Sequence, residues 1–303
     1  MSPRKLMARL AWVIQGWTGT RPKHHRRTGA DRTQFDPPTA IHNNDPLVNM
    51  VSGTTSYLNL LDLIHRELAP RLYLEIGVRE GASLRLSGCV SIGIDPEAQV
   101  SHSLPKEATI YHRTSDDFFG SDAEGAIQGK IDLAFIDGMH KFEFVLRDFI
   151  NIETYSTSTS LVVVDDIFPN HPAQASKTRH TRVWTGDVWK LLPCLRDFRP
   201  DLILVPADTS PTGSLLIAGL DPSNLELKEK YNLILKRFVT DIDDRPPVEV
   251  LERCMAMPPD DQRIIELLRL LRVCRTRFPG EPVIRERLAA FAKHLIASSA
   301  TTI

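Results

Sequence analysis

The chain has 303 residues, of which 42% are hydrophobic and 25% charged, so an ordinary globular core is expected. The formal net charge of -1 argues against nucleic acid as a specific partner of the whole chain. No stretch approaches the about 20 apolar residues of a transmembrane segment. The four cysteines show neither a C-x-x-C pair nor a metal-binding spacing, which favours free thiols in a reducing, cytoplasmic environment.

Residues 1–45 are predicted to be a basic, flexible extension. Residues 1–34 hold eight lysines and arginines against one acid, Asp31. Arg9 interrupts the apolar stretch from Leu6 to Trp17, which argues against a signal peptide. Contact of this basic segment with an anionic membrane surface stays open as a minor alternative. Proline and asparagine residues then indicate a linker, so we place the start of the folded domain at residue 46.

Between residues 46 and 221 the sequence predicts strands that alternate with helices, as in an α/β domain. The central strand is Ile131–Ile136, whose nearly all-apolar residues are typical of a parallel strand buried on both faces. Helices are predicted at Thr54–Leu68, Phe142–Tyr155 and Trp184–Phe198, with Trp184 and Trp189 as core residues. Further strands are predicted at Leu72–Ile76, Val90–Ile94, Thr109–His112 and Leu161–Val164, followed by an antiparallel pair, Asp201–Val205 and Gly213–Leu220.

Residues 222–303 carry helical patterns and no strand pattern. The predicted helices are Leu225–Phe238, Val248–Met257, Asp261–Arg277 and Pro282–Ala297. We interpret this helical C-terminal region as a cap or a dimerisation element, so a homo-oligomer is compatible with the sequence.

Acids follow two of the predicted strands directly. Asp137 comes after the central strand with His140 three residues later, and Asp165 and Asp166 follow Leu161–Val164. Ligands of open α/β sheets bind outside the carboxyl ends of the strands. The acids would repel one another in a shared cleft, and a divalent cation would relieve that repulsion because hard ions prefer carboxylate oxygens. The simpler alternative is that the aspartates only cap the helices that follow.

The turn after Leu72–Ile76 contains Gly77 and Gly81, but Arg79 occupies its middle position. This departs from the G-x-G-x-x-G pattern, so a dinucleotide site is poorly supported. Asp95 ends the next strand, where an acid is placed to accept hydrogen bonds from a ribose diol. Ser115 and Asp116 could cap a helix or reach an adenine.

Four motifs, LYLEIGVREGAS, GIDP, IDLAFIDGMH and LVVVDD, follow one another in this order. Together they resemble the class I S-adenosylmethionine-dependent methyltransferases. The closer resemblance is to the metal-dependent O-methyltransferase branch, which includes the catechol and macrolide-sugar enzymes. It covers residues 46–220 and implies a Rossmann-like sheet that is mostly parallel, with a C-terminal antiparallel strand and an all-helical tail.

The resemblance also implies roles for individual residues. Asp95 would hold the ribose of S-adenosylmethionine, Ser115 and Asp116 would flank its adenine, and His140 would be the general base. A Mg²⁺ or Mn²⁺ ion would be held by Asp137, Asp165 and Asp166. The amino-acid end of the cofactor would be lined by Glu75, Gly77, Gly81 and Ser83, with Asp137 also in contact.

The sequence therefore predicts a methyltransferase that acts on a hydroxyl of a small molecule or sugar. Two alternatives remain open. A hydroxylase or another enzyme could use the same fold, since a fold does not fix a reaction. A non-catalytic module could keep the cofactor pocket and bind partners through its helical tail.

Overall fold

A computed structural model describes residues 52–53, 55–179, 181–240, 245–278 and 280–301. The predicted basic extension, residues 1–45, lies outside this part of the chain. The described residues form one large sheet and a two-residue parallel pair, Thr55–Ser56 with Thr209–Ser210. The strands of the large sheet are β1 (Leu72–Ile76), β2 (Val90–Ile94), β3 (Ala108–Tyr111), β4 (Leu133–Ile136), β5 (Leu161–Val164), β6 (Ile203–Ala207) and β7 (Ser214–Ala218).

The seven strands lie in the order β3-β2-β1-β4-β5-β7-β6. β7 is antiparallel to both of its neighbours, and the other pairs are parallel. This arrangement confirms the predicted fold class. The strand order changes direction between β1 and β4, and the carboxyl ends of strands at such a point form the crevice in which α/β proteins bind ligands.

The helices of eight or more residues are α1 (Tyr57–Leu68), α2 (Phe142–Thr154), α3 (Leu191–Phe198), α4 (Tyr231–Phe238), α5 (Gln262–Arg277) and α6 (Glu281–Thr301). Short α-helical turns occur at Ser115–Asp117, Ala123–Ala126, Glu226–Glu229 and Val248–Leu251, and a π-helical turn at Phe118–Asp122. Single 3₁₀ turns occur at Leu84–Leu86, Pro172–Ala175 and Val188–Lys190.

The predicted helix Leu225–Phe238 is interrupted at Lys230, which separates the short turn Glu226–Glu229 from α4, and two further helix predictions were too long. The predicted helix Trp184–Phe198 has α-helical geometry only from Leu191, because Gly186 takes a left-handed φ of 53° and a 3₁₀ turn follows it. The predicted helix Val248–Met257 ends at Leu251, and Arg253 lies beyond it at a φ of 53°. In both cases a contact with residues distant in the sequence requires a left-handed backbone conformation, which the spacing of apolar residues does not predict.

Helix α1 shows why the first helix begins and ends where it does. The Ser56 hydroxyl accepts the Asn59 N–H at 3.2 Å and caps the amino end. Ala69 takes a φ of 48° at the carboxyl end, which closes the last turn. Residues at helical spacing, Leu61, Ile64 and Leu68 among them, are buried against the sheet.

Hydrophobic cores lie on both faces of the sheet. One face packs against α2 and α3, and the other packs against α1 and α5. Leu267, Leu268 and Leu271 of α5 are fully buried in this second core. The helical region thus contacts the sheet domain extensively, while the division of the chain at residue 221 stays a prediction. None of the described helices is long and apolar enough to cross a membrane.

Candidate functional site

The two predicted acidic strand ends meet at the carboxyl edge of the sheet. β4 and β5 are parallel neighbours with Ile136 opposite Val164, so the residues that follow them emerge side by side. The Asp165 N–H donates to the Ile136 carbonyl at 3.0 Å and extends the ladder by one bond. We call Asp137, His140, Asp165 and Asp166 the acidic half of the site. They line one small cleft together with Ile136, Gly138, Val145 and Val188.

His140 lies between two carboxylates. Its Nδ1 is 2.7 Å from Asp166 Oδ2, and its Nε2 is 3.3 Å from Asp137 Oδ1. One ligand atom from each of these three residues lies within 4.8 Å of the others, which is a spacing that could hold a metal ion. Asp165 is outside this trio, and its Oδ1 accepts a hydrogen bond from the Ser214 hydroxyl at 2.8 Å. The trio therefore differs from the predicted metal set by containing His140 instead of Asp165.

The electrostatics of the acidic half favour a bound positive charge. Burial raises the pKa of Asp165 well above its usual range, and the charges of Asp166 and Asp137 raise it further. Burial also raises the pKa of Asp137, against the hydrogen bond from His140. Burial works to lower the pKa of His140, but the nearby charges of Asp166 and Asp137 outweigh it and hold that pKa well above its usual value. The proton on the imidazolium thus reduces the repulsion between the carboxylates, and a bound cation would also reduce it.

Left-handed backbone conformations are concentrated around this cleft. Among the described residues other than glycine, five have a positive φ, and one of them, Ala69, caps a helix. The other four are Arg79 (49°), His140 (54°), Asp166 (65°) and Arg253 (53°). Such conformations cost on the order of 1–3 kcal/mol each and often occur at functional sites. At His140 and Asp166 they bring the imidazole and the carboxylate together.

The segment after β5 folds over His140. The Trp184 ring stacks on the His140 ring with centroids 5.4 Å apart and planes 10° apart. The Trp184 carbonyl lies 2.7 Å from His140 Nδ1. A Cβ added to Gly186 would fall 1.7 Å from the His140 carbonyl oxygen, so only glycine permits this contact. Trp184 is half-buried over the candidate site and is not simply a core residue, whereas Trp189 is buried as predicted.

The second part of the site comes from the carboxyl ends of β1 and β2 and the turns after them. We call it the glycine-turn half, and it consists of Glu75, Gly77, Gly81, Ser83 and Asp95. Glu75 is fully buried, and its oxygens accept hydrogen bonds from the hydroxyls of Tyr73 and Ser83, both at 2.6 Å. Burial raises the pKa of Glu75 to about 8, against these two hydrogen bonds. Glu75 and Ser83 therefore support the turn from within the domain, and their direct contact with a cofactor stays a prediction.

Asp95 fixes the conformation of the turn. Its carboxylate accepts the backbone N–H of Arg79 at 2.7 Å and that of Glu97 at 2.8 Å. Arg79, at a φ of 49°, keeps the left-handed conformation that a glycine would adopt at this position. Gly77 has a φ of 92°, and a Cβ there would fall 2.1 Å from the Asp137 carbonyl oxygen. The two halves of the site are consequently in direct backbone contact.

The predicted adenine residues lie in the turn after β3. Asp116 forms a two-pronged ion pair with Arg147 of α2, at 2.9 and 2.6 Å. Ser115 begins the short helix Ser115–Asp117, whose amino end is capped by Thr114. Both residues therefore have structural contacts, and their contact with an adenine stays a prediction.

Two residues of the site carried no sequence signal. Ser214 reaches Asp165 from a distant strand. Tyr57, the first residue of α1, stacks its half-buried ring on Phe135 at 6.0 Å. Burial raises the pKa of Tyr57, and the charges of Asp137, Asp165 and Glu75 add to the effect, so its ring lies close to both halves of the site. Only the tertiary fold brings these two side chains to the strand ends.

Comparison with known proteins agrees with the methyltransferase class that the sequence predicts. A family model described as a methyltransferase domain matches residues 74–167. These residues include the carboxyl ends of five strands, β1 to β5. Residues 74–167 thus match a methyltransferase domain, and the sheet order agrees with the sheet predicted from the resemblance to the class I methyltransferases. The predicted resemblance to this class is confirmed.

Solved structures add a distant likeness. A putative O-methyltransferase from Klebsiella pneumoniae is 15% identical, with 60% of this chain and 93% of that chain covered at a TM-score of 0.42. The O-methyltransferase from Bacillus cereus, solved with SAH, is 15% identical, with 63% and 97% covered at a TM-score of 0.41. TomG from Streptomyces achromogenes, an O-methyltransferase involved in tomaymycin synthesis, is 17% identical, with 60% and 93% covered at a TM-score of 0.42. No curated protein matches the sequence. Likenesses at this level carry no argument about substrate.

Proposed function

We propose that this chain transfers the methyl group of S-adenosylmethionine to a hydroxyl of a small molecule or sugar, with a divalent cation in the acidic half. The observation that carries the proposal is the convergence of Asp137, His140 and Asp166, whose ligand atoms lie within 4.8 Å beside the glycine turn. When bound, S-adenosylmethionine supplies an electrophilic methyl group, and Mg²⁺ or Mn²⁺ lowers the pKa of a hydroxyl that it holds.

The donor set fits a hard divalent ion. Asp137 and Asp166 offer carboxylate oxygens from adjacent strand ends, and Asp165 adds a third carboxyl group that lines the same cleft. His140 either accepts the proton of the acceptor hydroxyl or completes the ligand set. Contact of Nδ1 with the Trp184 carbonyl favours an N–H at that atom, which leaves Nε2, beside Asp137, as the nitrogen available for either role.

The glycine-turn half would bind the cofactor through Asp95, at the tip of β2. Asp95→Ala should weaken S-adenosylmethionine by about 2–4 kcal/mol, because a charge-assisted pair of hydrogen bonds is lost. Glu97→Ala is the matched control, since it removes a neighbouring exposed acid and keeps the backbone N–H that Asp95 accepts. Calorimetry on the folded variants measures both affinities. Equal affinity of Asp95→Ala and wild type would remove Asp95 from the site.

The cation part of the proposal is tested separately. Calorimetric titration with Mn²⁺ should show a site in the wild type that Asp166→Asn loses, while S-adenosylmethionine still binds. Asp62→Asn, an exposed acid of α1 paired with Arg66, is the control and should bind Mn²⁺ as the wild type does. Product analysis after incubation with a panel of sugars and phenols should find the methyl group on oxygen. Full activity in excess chelator would contradict the role of the cation.

A further inference from the structure

Arg253 is a buried arginine outside the stretch that matches the methyltransferase family. It follows the short helix Val248–Leu251, takes a φ of 53° and is 6% exposed. A buried guanidinium is costly unless its N–H groups find acceptors. Its acceptors are therefore informative about why the charge lies at this position.

The guanidinium binds two separate segments. Its Nη1 donates to Asp208 Oδ1 at 2.8 Å and to the Thr209 carbonyl at 2.9 Å. Its Nη2 donates to Asn170 Oδ1 at 2.5 Å and to the Pro211 carbonyl. Asn170 belongs to the segment after β5, and the other three acceptors belong to the turn between β6 and β7. A single side chain from the helical region thus joins the two segments that adjoin the acidic half.

The turn between β6 and β7 connects Arg253 to Asp165. Arg253 holds the Thr209 carbonyl, and the Thr209 hydroxyl is 2.8 Å from the Ser214 hydroxyl. Ser214 in turn donates to Asp165 Oδ1 at 2.8 Å. Thr209 and Ser214 are fully buried, so this chain of contacts is shielded from water.

The segment after β5 connects Arg253 to His140. The Asn170 N–H donates to Gln174 Oε1 at 2.8 Å, and the Gln174 carbonyl accepts the N–H groups of Thr185 and Gly186 at 2.9 and 3.0 Å. These two residues follow Trp184, which contacts His140 through its ring and its carbonyl. The position of the imidazole therefore depends on the segment that Asn170 anchors.

We propose that Arg253 is a positioning residue that holds Asp165 and His140 in register across the acidic half. This inference rests on the proposed function for its catalytic meaning. Under this proposal, the helical C-terminal region supplies the guanidinium that orients the acidic half. Residues 74–167 alone therefore lack one of the groups that hold Asp165 and His140.

Arg253→Ala tests the inference against Arg275→Ala. Arg275 is an arginine of α5 whose side chain is 5% exposed, against 4% for Arg253, but it donates to the carbonyls of Leu68 and Ala69 at the opposite edge of the sheet. Both variants should lower the melting temperature. Only Arg253→Ala should weaken Mn²⁺ binding, by severalfold, because the two segments that orient Asp165 and His140 lose their shared anchor. S-adenosylmethionine affinity should change little, and added guanidinium should restore part of the Mn²⁺ affinity.

A cation-free readout separates this inference from the proposed function. The imidazole NMR signals of His140, assigned with His140→Gln, should shift in Arg253→Ala and stay in place in Arg275→Ala. If Arg253→Ala does not fold, Arg253→Lys keeps the charge without the paired donors and should show the same shift. A wild type that binds no Mn²⁺ would overturn the proposed function alone. Unchanged His140 signals in a folded Arg253 variant, or equal shifts in the Arg275 variant, would overturn the positioning role.

Discussion

The two halves of the site are built in different ways. In the glycine-turn half, each acid is satisfied by residues close in the sequence, as Glu75 is by Tyr73 and Ser83. In the acidic half the partners come from far along the chain. Trp184 is 44 residues from His140, and Ser214 is 49 residues from Asp165. The glycine-turn half thus depends on two neighbouring strands and the turns after them, whereas the acidic half also needs Trp184 and Ser214 from the later part of the chain.

This difference predicts how each half responds to change. Substitutions in a locally satisfied turn should affect one ligand and leave the rest of the site intact. Substitutions in the acidic half should depend on distant residues and show coupling in double-mutant cycles. The predictions below test that contrast, beginning with a substitution at the point where the halves touch.

Gly77→Ala should impair both halves of the site at once, because its Cβ would fall 2.1 Å from the Asp137 carbonyl oxygen at a φ of 92°. We expect a loss of about 3 kcal/mol or more in the free energy of unfolding, with both S-adenosylmethionine and Mn²⁺ binding impaired. Gly81→Ala is the control. It has a similar φ of 82°, but its Cβ would meet side chains and not backbone, Leu104 at 3.0 Å and Val100 at 3.4 Å, so a smaller loss is expected. Denaturant unfolding measures both; equal losses would show that the backbone contact is unimportant.

His140→Ala should lower turnover by roughly 10²–10⁴-fold while S-adenosylmethionine affinity stays unchanged, because the base is lost and the cofactor site is not. His112→Ala, an exposed histidine after β3, is the control and should keep full activity. The Mn²⁺ affinity of His140→Ala distinguishes the two roles: it is retained if His140 is a base and lost if His140 is a ligand. A glutamine at this position should resemble alanine. Restored turnover in His140→Gln would make the residue an orienting group.

Glu75→Gln should make stability less dependent on pH. The pKa of Glu75 is about 8 in the fold and 4.5 ordinarily, so the folded state holds the proton more tightly than the unfolded chain does. Its stabilising contribution is complete below pH 4.5 and is lost as the pH rises to 8. The variant should therefore gain on the order of 5 kcal/mol over the wild type between these limits. Denaturation at several pH values measures the difference; a constant difference would contradict the raised pKa.

Arg79→Gly should have the smallest effect, a gain of up to about 1 kcal/mol. Glycine relieves the left-handed strain at a φ of 49° and keeps the N–H that Asp95 accepts. Ala69→Gly, at a φ of 48° in the cap of α1, is the matched control and should gain a similar amount. Weaker S-adenosylmethionine binding in Arg79→Gly alone would show that the guanidinium contacts the cofactor.

Much of the sheet is predictable because strand signals are local. The bounds of β1, β2 and β5 agree with the sequence pattern, and the antiparallel pair follows from its short turn. The convergence of Asp137, His140 and Asp166 is also predictable, since neighbouring parallel strands end at one edge. The role of Trp184 and the contacts of Arg253 are not, because they depend on left-handed residues and on segments separated by dozens of positions.

Strand β7 runs against the other six, so its first residue, Ser214, and not its last, stands at the edge where the others end. The turn between β6 and β7 is thereby brought beside the acidic half, although in the sequence it is an ordinary surface connection. For the evolution of new specificities this is a constrained arrangement, because Asp208, Thr209 and Pro211 of the turn also hold Arg253. Under the proposed function, a library that selects for acceptor preference is therefore best confined to the half-buried Ser210, with those three residues kept.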